Sequence, residues 1–393
     1  MALRILSVDD ESDLEILLSQ YFRKKIRRGE YVFSFAHNGV EALQMMLKEP
    51  FDIVLSDINM PEMDGLTLLA RINEMRNPAT KCIMVSAYGD MENIRSAMNK
   101  GAFDFTTKPI NLEDLEHTIE KAAEEIDFIK RAYSEHAQLE QIYSDLHVAQ
   151  EIQQTILPKD FTPVPGDSSF SLYAAMKAAK YVGGDFYDFF SIDDGRLALV
   201  IADVSGKGVP AAILMAICRT MVRAVAAGES SPSACIGRVN RMLCGENLNN
   251  MFVTLFYGIY DTVSGTLSYC NAGHNPPLLV RPDGQYEYID PTGDIALGVS
   301  AGASYHHGHA VIPVSGTLLL YTDGVTEECD AGGGLYGTHR LAELCASHAG
   351  YAPEELIGSV LDDVEAFASG KETAGSSDDM TLLALRRNRD GMR

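Results

Sequence analysis

Two sets of side chains in this sequence have the types and the placement to do chemistry. In the first, Asp9 and Asp10 follow the apolar run Arg4-Ile5-Leu6-Ser7-Val8, and Asp57 ends Ile53-Val54-Leu55-Ser56. Ser86 ends Cys82-Ile83-Met84-Val85, and Lys108 ends Asp104-Phe105-Thr106-Thr107. Unit charges about 4 Å apart repel by about 4 kcal/mol at an effective dielectric of about 20, so three neighbouring carboxylates call for a cation. An all-oxygen set favours Mg²⁺. Beside that ion Asp57 is placed to attack a phosphoryl donor, while Lys108 and Ser86 bind the phosphoryl oxygens. A single strand-end Asp is more often a helix cap. The combination across four strand ends is what argues for a reaction.

The second set is also acidic. Asp185 lies in Tyr181-Val182-Gly183-Gly184-Asp185-Phe186-Tyr187-Asp188, and Asp203 follows Leu197-Ala198-Leu199-Val200-Ile201-Ala202. Asp323 follows Thr317 to Thr322, and Asp378 precedes Met380 to Leu385. No His or Cys accompanies them at metal-ligand spacing, so carboxylates, carbonyls and water remain, a set suited to Mn²⁺ or Mg²⁺. Two such ions about 3.5–4 Å apart, bridged by one Asp, would lower the pKa of a shared water and clamp a phosphoryl group. Any one Asp-Gly is usually just a turn; four acids beside apolar runs are harder to dismiss.

The elements needed to hold these residues can be read around them. Up to residue 124, apolar strands alternate with helical patterns, the texture of a doubly wound parallel sheet whose strand ends converge on one crevice. After Pro158 the texture changes to short strands, turns and a few long helices, an α+β sandwich. One of those helices, Pro210 to Ala227, reads as core through Ala211, Leu214, Ile217, Met221, Val222 and Val225. His274, in a strand-end turn, reads as a loop-orienting hydrogen-bond partner. Between the blocks, Phe128, Ala132, Leu139, Ile142, Leu146, Ala149 and Ile156 fall on alternate threes and fours, interrupted by Glu135 and Gln153. Ile129 and Tyr143 widen that face, and no Pro or Gly appears before Pro158. That is the pattern of a coiled-coil seam; a lone helix in water gains little from it, so pairing with a second copy, a homodimer, is expected, the alternative being a long helix packed on its own domain. The layout is then 1–124, a helical connector over 125–157, 158–388, and a short tail, 389–393.

A formal net charge of -23 makes nucleic acid and anionic membrane poor partners, and no basic helix offers a DNA reader. The seven cysteines are scattered without a CxxC pair, as in a reduced cytoplasmic protein without a zinc site. No signal-type apolar core opens the chain, and no uncharged apolar run reaches membrane length. A cytoplasmic location is expected.

The first block resembles a response-regulator receiver domain, flavodoxin-like, along its whole length. The matching runs are Val8-Asp9-Asp10, Leu55 to Gly65 with its Asp57-Ile58-Asn59-Met60-Pro61 core, Val85-Ser86-Ala87 and Thr107-Lys108-Pro109. The resemblance implies that Asp57 is the phosphoacceptor, and that Asp9, Asp10 and the Asn59 carbonyl help hold Mg²⁺. It makes Ser86 the switch hydroxyl, Lys108 the phosphate contact and Phe105 the aromatic that follows Ser86. It also implies a sensor histidine kinase as partner and pairing through the last strand–helix face, including Asn111 to Glu125.

The second block resembles the metal-dependent PPM serine/threonine phosphatases of the bacterial sporulation and sigma-regulator branch. It shares Gln153-Gln154-x-x-Leu157-Pro158, Val182 to Asp188, Asp203-Val204-Ser205-Gly206-Lys207-Gly208, Asn271 to Pro277, Thr322-Asp323-Gly324 and Asp378-Asp379-Met380-Thr381. By resemblance, Asp203 bridges two ions, Asp185 and the Val204 carbonyl belong to one, Asp323 and Asp378 to the other, and Asp379 stands behind them. The usual substrate of this branch is a phosphorylated anti-sigma-factor antagonist with a STAS fold. Two departures stand out. Ser205 occupies the place of a His in eukaryotic members, and before Asp185 only Lys177 and Lys180 offer cations, so no general acid is assigned. The competing reading is a phosphorylation-gated adaptor without catalysis, against which the retention of all four acids argues.

Overall fold

The computed structural model of the chain describes residues 2–87, 91–164, 166–245, 250–369 and 378–389. They form two compact units, divided between Ile142 and Tyr143.

In the first unit, β1 (Leu3–Val8), α1 (Ser12–Tyr21), α2 (Arg23–Arg27), β2 (Tyr31–Ala36), α3 (Gly39–Met46), β3 (Ile53–Asp57), α4 (Gly65–Glu74), β4 (Lys81–Ala87), α5 (Met91–Asn99) and β5 (Asp104–Lys108) alternate as the sequence predicts. The strands run parallel in the order β2-β1-β3-β4-β5. The order reverses between β1 and β3, where such sheets open a crevice at their carboxyl ends. All five residues of β3 are buried because both faces are covered. Val54 faces Leu68, Leu69 and Ile72, while Ile53 and Leu55 face Leu18, Phe22 and Ile119. Asn38 and Asp64 cap α3 and α4 by accepting from the Glu41 and Thr67 amides at 2.8 and 2.7 Å. Gly65 lets α4 start against the strand that carries Asp57: a Cβ there would lie 2.1 Å from the Asp57 carbonyl oxygen.

Helix α6 (Leu112–Ile156) is one helix of 45 residues. It starts well before residue 125, since nothing between Asn111 and Pro158 breaks it. Leu115, Ile119, Ala122 and Ile126 complete the core under the parallel sheet. Ion pairs extend that anchoring: Lys25 to Glu116 and Glu120 at 2.6 and 2.8 Å, Lys81 to Glu125 and Lys130 to Asp52, both at 2.5 Å. From 130 to 145 every residue is exposed. Of the expected seam, Phe128, Leu139 and Ile142 stand 73, 51 and 54 % exposed.

The second unit takes in the last turns of α6 and continues through β6 (Phe170–Lys177), β7 (Phe186–Asp193), β8 (Arg196–Val204), α7 (Val209–Ala226), α8 (Pro232–Gly245), β9 (Val253–Asp261), β10 (Thr266–Ala272), β11 (Leu278–Val280) and β12 (Tyr286–Tyr288). It ends with β13 (Gly308–Val311), β14 (Thr317–Tyr321), α9 (Asp323–Thr326), α10 (Gly337–Ser347), α11 (Pro353–Ala368) and β15 (Met380–Arg387). Two antiparallel sheets, β13-β10-β9-β8-β7 and β12-β11-β14-β15-β6, share one core. Strand β14 shows the layering. Leu318 and Leu320 point between the sheets, whereas Leu319 and Tyr321 meet Leu341, Leu356 and Val360 of the outer helices. Helices α8, α10 and α11 were not singled out by the sequence reading.

Helix α7 is long and apolar enough to cross a membrane by length and composition alone. Here it turns Ala211, Leu214, Met215, Cys218 and Val222 into the core. Its Arg219 and Arg223 pair with the buried Asp188 of β7 at 3.1 and 2.5 Å.

Because Ile126 is core, Ile126→Ala is expected to destabilise the first unit by about 2–4 kcal/mol. The measurement is its urea transition in the full chain. An unchanged midpoint means that α6 is no part of that core.

Candidate metal centres

At the carboxyl ends of β1 and β3, Asp9, Asp10 and Asp57 each present a ligand oxygen within 4.8 Å of the others, the only such trio among the described residues. Lys108, ending β5, lies 2.7 Å from Asp57 Oδ2, 3.0 Å from Asp9 Oδ2 and 3.5 Å from Glu11 Oε1. Partial burial works against its ammonium, but hydrogen bonds to Asp57 and Asp9 prevail and hold its pKa above the ordinary lysine value. One ammonium among these acids leaves negative charge to spare, which fits a hard divalent ion. Ser86 is fully buried beside this cluster, one residue beyond the β-partner of Asp57. Its hydroxyl has no hydrogen-bond partner among the described residues. Phe105 is partly exposed on β5, and the Asn59 amide approaches Asp57 Oδ1 at 3.4 Å.

In the second unit the four acids come from the residue before β7, from β8, from α9 and from the approach to β15. Asp185 is buried and accepts from Thr322 Oγ1 at 2.7 Å, which ties the two sheets together at the site. The Thr381 amide donates to the same hydroxyl at 2.9 Å. Burial, then the charge of Asp203, pushes the Asp185 carboxyl well above the usual range. Burial, then Asp323, pushes Asp203 up to about 6. Burial raises Asp323 as well, with Glu327 and Asp378 adding to it. These acids therefore face one another, spread more widely than the trio around Asp57. A wider spread suits two ions rather than one.

The loops around the acids are braced. Gly184 lies so close to Val204 that a Cβ would stand 2.7 Å from the Val204 carbonyl oxygen. Asp379 accepts from the Ala179 and Gly184 amides, both at 2.8 Å. Ser205 accepts from the Phe252 amide at 2.8 Å and donates its own amide to the Phe252 carbonyl at 2.9 Å. His274 is buried, with Nδ1 2.9 Å from the hydroxyl of Thr254, the β-partner of Asp203. Burial lowers its pKa to about 4, so the ring is neutral and structural. Lys177 pairs with Glu365, and Lys207 lies 3.0 Å from Asp378 Oδ2. Gln153, read from the sequence as an interruption of the seam, is buried and bonded to Gly183. The available signal was a polar residue at a seam position just before a glycine-rich loop.

The raised carboxyls set a sign. A carboxyl whose pKa is higher folded than unfolded stabilises below its ordinary pKa, near 4. For Asp203 that contribution disappears as the pH rises through about 6. Divalent ions compete with those protons. Free Mn²⁺ at ~100 times its Kd is expected to raise the melting temperature of the second unit by roughly 5–10 °C at pH 7.5, and clearly less at pH 5. Calorimetric scans decide it, and equal shifts at the two pH values contradict the assignment.

Known proteins place both sites in families. The response regulator receiver domain matches residues 5–120, and the stage II sporulation protein E (SpoIIE) family matches 193–388, so Asp185 lies ahead of that match. Phosphoserine phosphatase RsbU of Bacillus subtilis is 28 % identical over 280 residues, covering 70 % of this chain and 81 % of RsbU. Protein IcfG of Synechocystis sp. is 31 % identical over 273 residues, 62 % of this chain, which spans only 42 % of IcfG. The SiaA-PP2C domain of Pseudomonas aeruginosa shares the fold, with a TM-score of 0.55 at 22 % identity over 64 % of this chain and 98 % of that domain. The chain thus carries a response regulator receiver domain over residues 5–120 and a SpoIIE-type PPM phosphatase domain over residues 193–388.

Proposed function

We propose that this is a cytoplasmic two-component regulator in which phosphorylation of Asp57 controls a phosphatase through a paired α6. The kinase is a sensor histidine kinase. The substrate is a phosphoserine or phosphothreonine on a STAS-type anti-sigma-factor antagonist. The observation that carries the reading is α6 itself, rooted in the first core at Ile126 and bonded at Gln153 to the loop of Asp185. Its working parts are a receiver over 1–124, a connector over 125–157 and a phosphatase over 158–388, with a tail at 389–393.

In the receiver, a carboxylate oxygen of Asp57 attacks phosphohistidine. The O–P bond forms as the N–P bond breaks, and the imidazole leaves with the electron pair and takes up a proton. Asp9, Asp10, Asp57 and the Asn59 carbonyl would hold Mg²⁺, which supplies charge neutralisation for the incoming group. Lys108, already between Asp9 and Asp57, turns to a phosphoryl oxygen, and the unpartnered Ser86 hydroxyl donates to another. Phe105 moves with Ser86.

In the phosphatase, Asp185, Asp203, the Val204 carbonyl, Asp323 and Asp378 would hold two Mn²⁺ or Mg²⁺ ions, which supply water activation and charge neutralisation. Besides burial, the charges of Asp323 and Asp378 and a side-chain hydrogen bond with Asp185 act on Asp203, which supports a bridging role for it. Thr322, Asp379 and Ser205 keep the loops in place. Hydrolysis joins a water oxygen to phosphorus and frees the substrate hydroxyl with a proton. The name of RsbU, a phosphoserine phosphatase, supports this substrate class.

Pairing follows from exposure. A helix that is solvent-exposed all round from 130 to 145 is marginal in isolation, and a second copy supplies a partner of matching length for Phe128, Leu139 and Ile142. Phosphorylated receivers that pair would then change the register or twist of the connector.

Three variants test this. Asp203→Ala is expected to lower Mn²⁺-dependent phosphatase activity by at least about 10²-fold, a barrier rise of about 3 kcal/mol; full activity in that variant rejects the catalytic assignment. Beryllofluoride should change the wild-type rate and leave Asp57→Ala unmoved. Leu139→Pro, at a cost of about 3 kcal/mol in the helix, should uncouple the two ends and shift sedimentation towards the monomer. A rate and assembly indifferent to both beryllofluoride and Leu139→Pro exclude control through α6.

A further inference from the structure

Gln153 sits where a polar residue is least expected, buried at the end of a helix that is otherwise largely exposed. Its carboxamide uses both ends on one residue: Nε2 donates to the Gly183 carbonyl at 2.8 Å, and Oε1 accepts from the Gly183 amide at 3.1 Å. An uncharged carboxamide offers a donor and an acceptor side by side in that geometry, which a carboxylate does not. Leaving either backbone group unpaired in a buried site is costly. The match is therefore strict in register.

The segment it holds touches three parts of the second acidic site: the approach to β15, the end of β8 and the first turn of α7. On one side, Asp379 takes the Ala179 and Gly184 amides, and a Cβ on Gly183 would lie 2.0 Å from the Asp379 carboxylate. On another, Gly184 abuts the Val204 carbonyl, and its added Cβ would lie 3.3 Å from Ala211 Cβ in the first turn of α7. Asp185 follows directly. Upstream, the Tyr181 ring lies 5.9 Å from that of Tyr143 and 4.9 Å from that of His147, on the α6 face that also carries Gln150, Gln153 and Leu157. The loop from 177 to 185 is thus seated on α6 at one end and on the ligand-bearing strands at the other.

We propose that Gln153 is a positioning residue for the phosphatase centre: its paired bonds to Gly183 fix Asp185 and the Val204 carbonyl, so that displacement of α6 loosens or tightens cation binding. This rests on the phosphatase reading and adds the contact through which the helix acts. A turn of α6 that breaks one bond breaks both, because both belong to one planar amide and one residue. The loop then keeps its Asp379 bonds and the Thr322 bond at Asp185, while the Tyr181 ring contacts shift with α6.

The test uses the full chain with Gln153→Glu, which replaces the donor by an acceptor facing a carbonyl, and Gln153→Met, which keeps the length and removes both bonds. Calorimetric Mn²⁺ titration should show at least tenfold weaker binding in both. Turnover of p-nitrophenyl phosphate should need at least tenfold more Mn²⁺ for half-saturation, with kcat recovered to within about threefold at saturation. Hydrogen exchange of the 178–186 segment should accelerate at least tenfold while β8 remains protected, which separates a loosened loop from a misfolded unit. Wild-type Mn²⁺ affinity, or unchanged exchange at 178–186, overturns the proposal. If the wild type binds Mn²⁺ but hydrolyses nothing, the phosphatase reading fails, and the titration and exchange arms still decide the role of Gln153.

Discussion

A continuous α-helix passes a turn at one end toward the other for as long as its bonds from each peptide to the one four residues back stay intact. Helix α6 is held at two places by different physics. Ile126 is packed in an apolar core with Ile119 and Leu115, and Gln153 is hydrogen-bonded to backbone. The first tolerates small adjustments, since apolar contact is non-directional. The second does not. An exposed stretch from 130 to 145 separates them. In the proposed relay, a helix gripped softly at one end and strictly at the other converts motion of the first into misfit at the second.

Both acidic sites are arranged to need what the protein does not itself supply. Around Asp57, Lys108 covers part of the negative charge of Asp9, Asp10 and Asp57 and leaves the rest for a cation to neutralise. Around Asp203, burial first and neighbouring carboxylates second raise the pKa values of Asp185, Asp203 and Asp323, which is a free-energy cost of the unliganded fold at neutral pH. The unit accepts that cost because the acids sit on strands and braced loops that cannot spread apart. Thr322 fastens Asp185 across the sheets, and Asp188 fastens α7 to β7 through two arginines. Strain of this kind makes cation binding sensitive to small changes in loop position.

Much of this was legible in the sequence, for a local reason. An acid after or before an apolar run marks a strand end or its turn, and the candidate acids of both clusters were legible from that pattern together with the family resemblance. The receiver and the sandwich followed from the alternation of elements, and the exposed stripe of α6 from its spacing. The start of α6 at Leu112 was missed because its first turns read equally well as a separate last helix of the receiver. Helices α8, α10 and α11 carry glycines, cysteines and polar residues that blur their period. Long-range pairs left no local trace. Asp188 finds its arginines 31 and 35 residues away. Gln153 finds a glycine 30 residues away, whose contribution is backbone only. Such contacts are set by tertiary structure, and spacing carries no record of them.

The most direct measurement is hydrogen exchange of the 178–186 segment in the unmodified protein, with Mn²⁺ present, before and after addition of beryllofluoride. If the two ends communicate through α6, exchange in this segment changes at least severalfold, in either direction, together with the phosphatase rate. A rate that responds while the segment exchanges as before would place the coupling elsewhere and contradict this account.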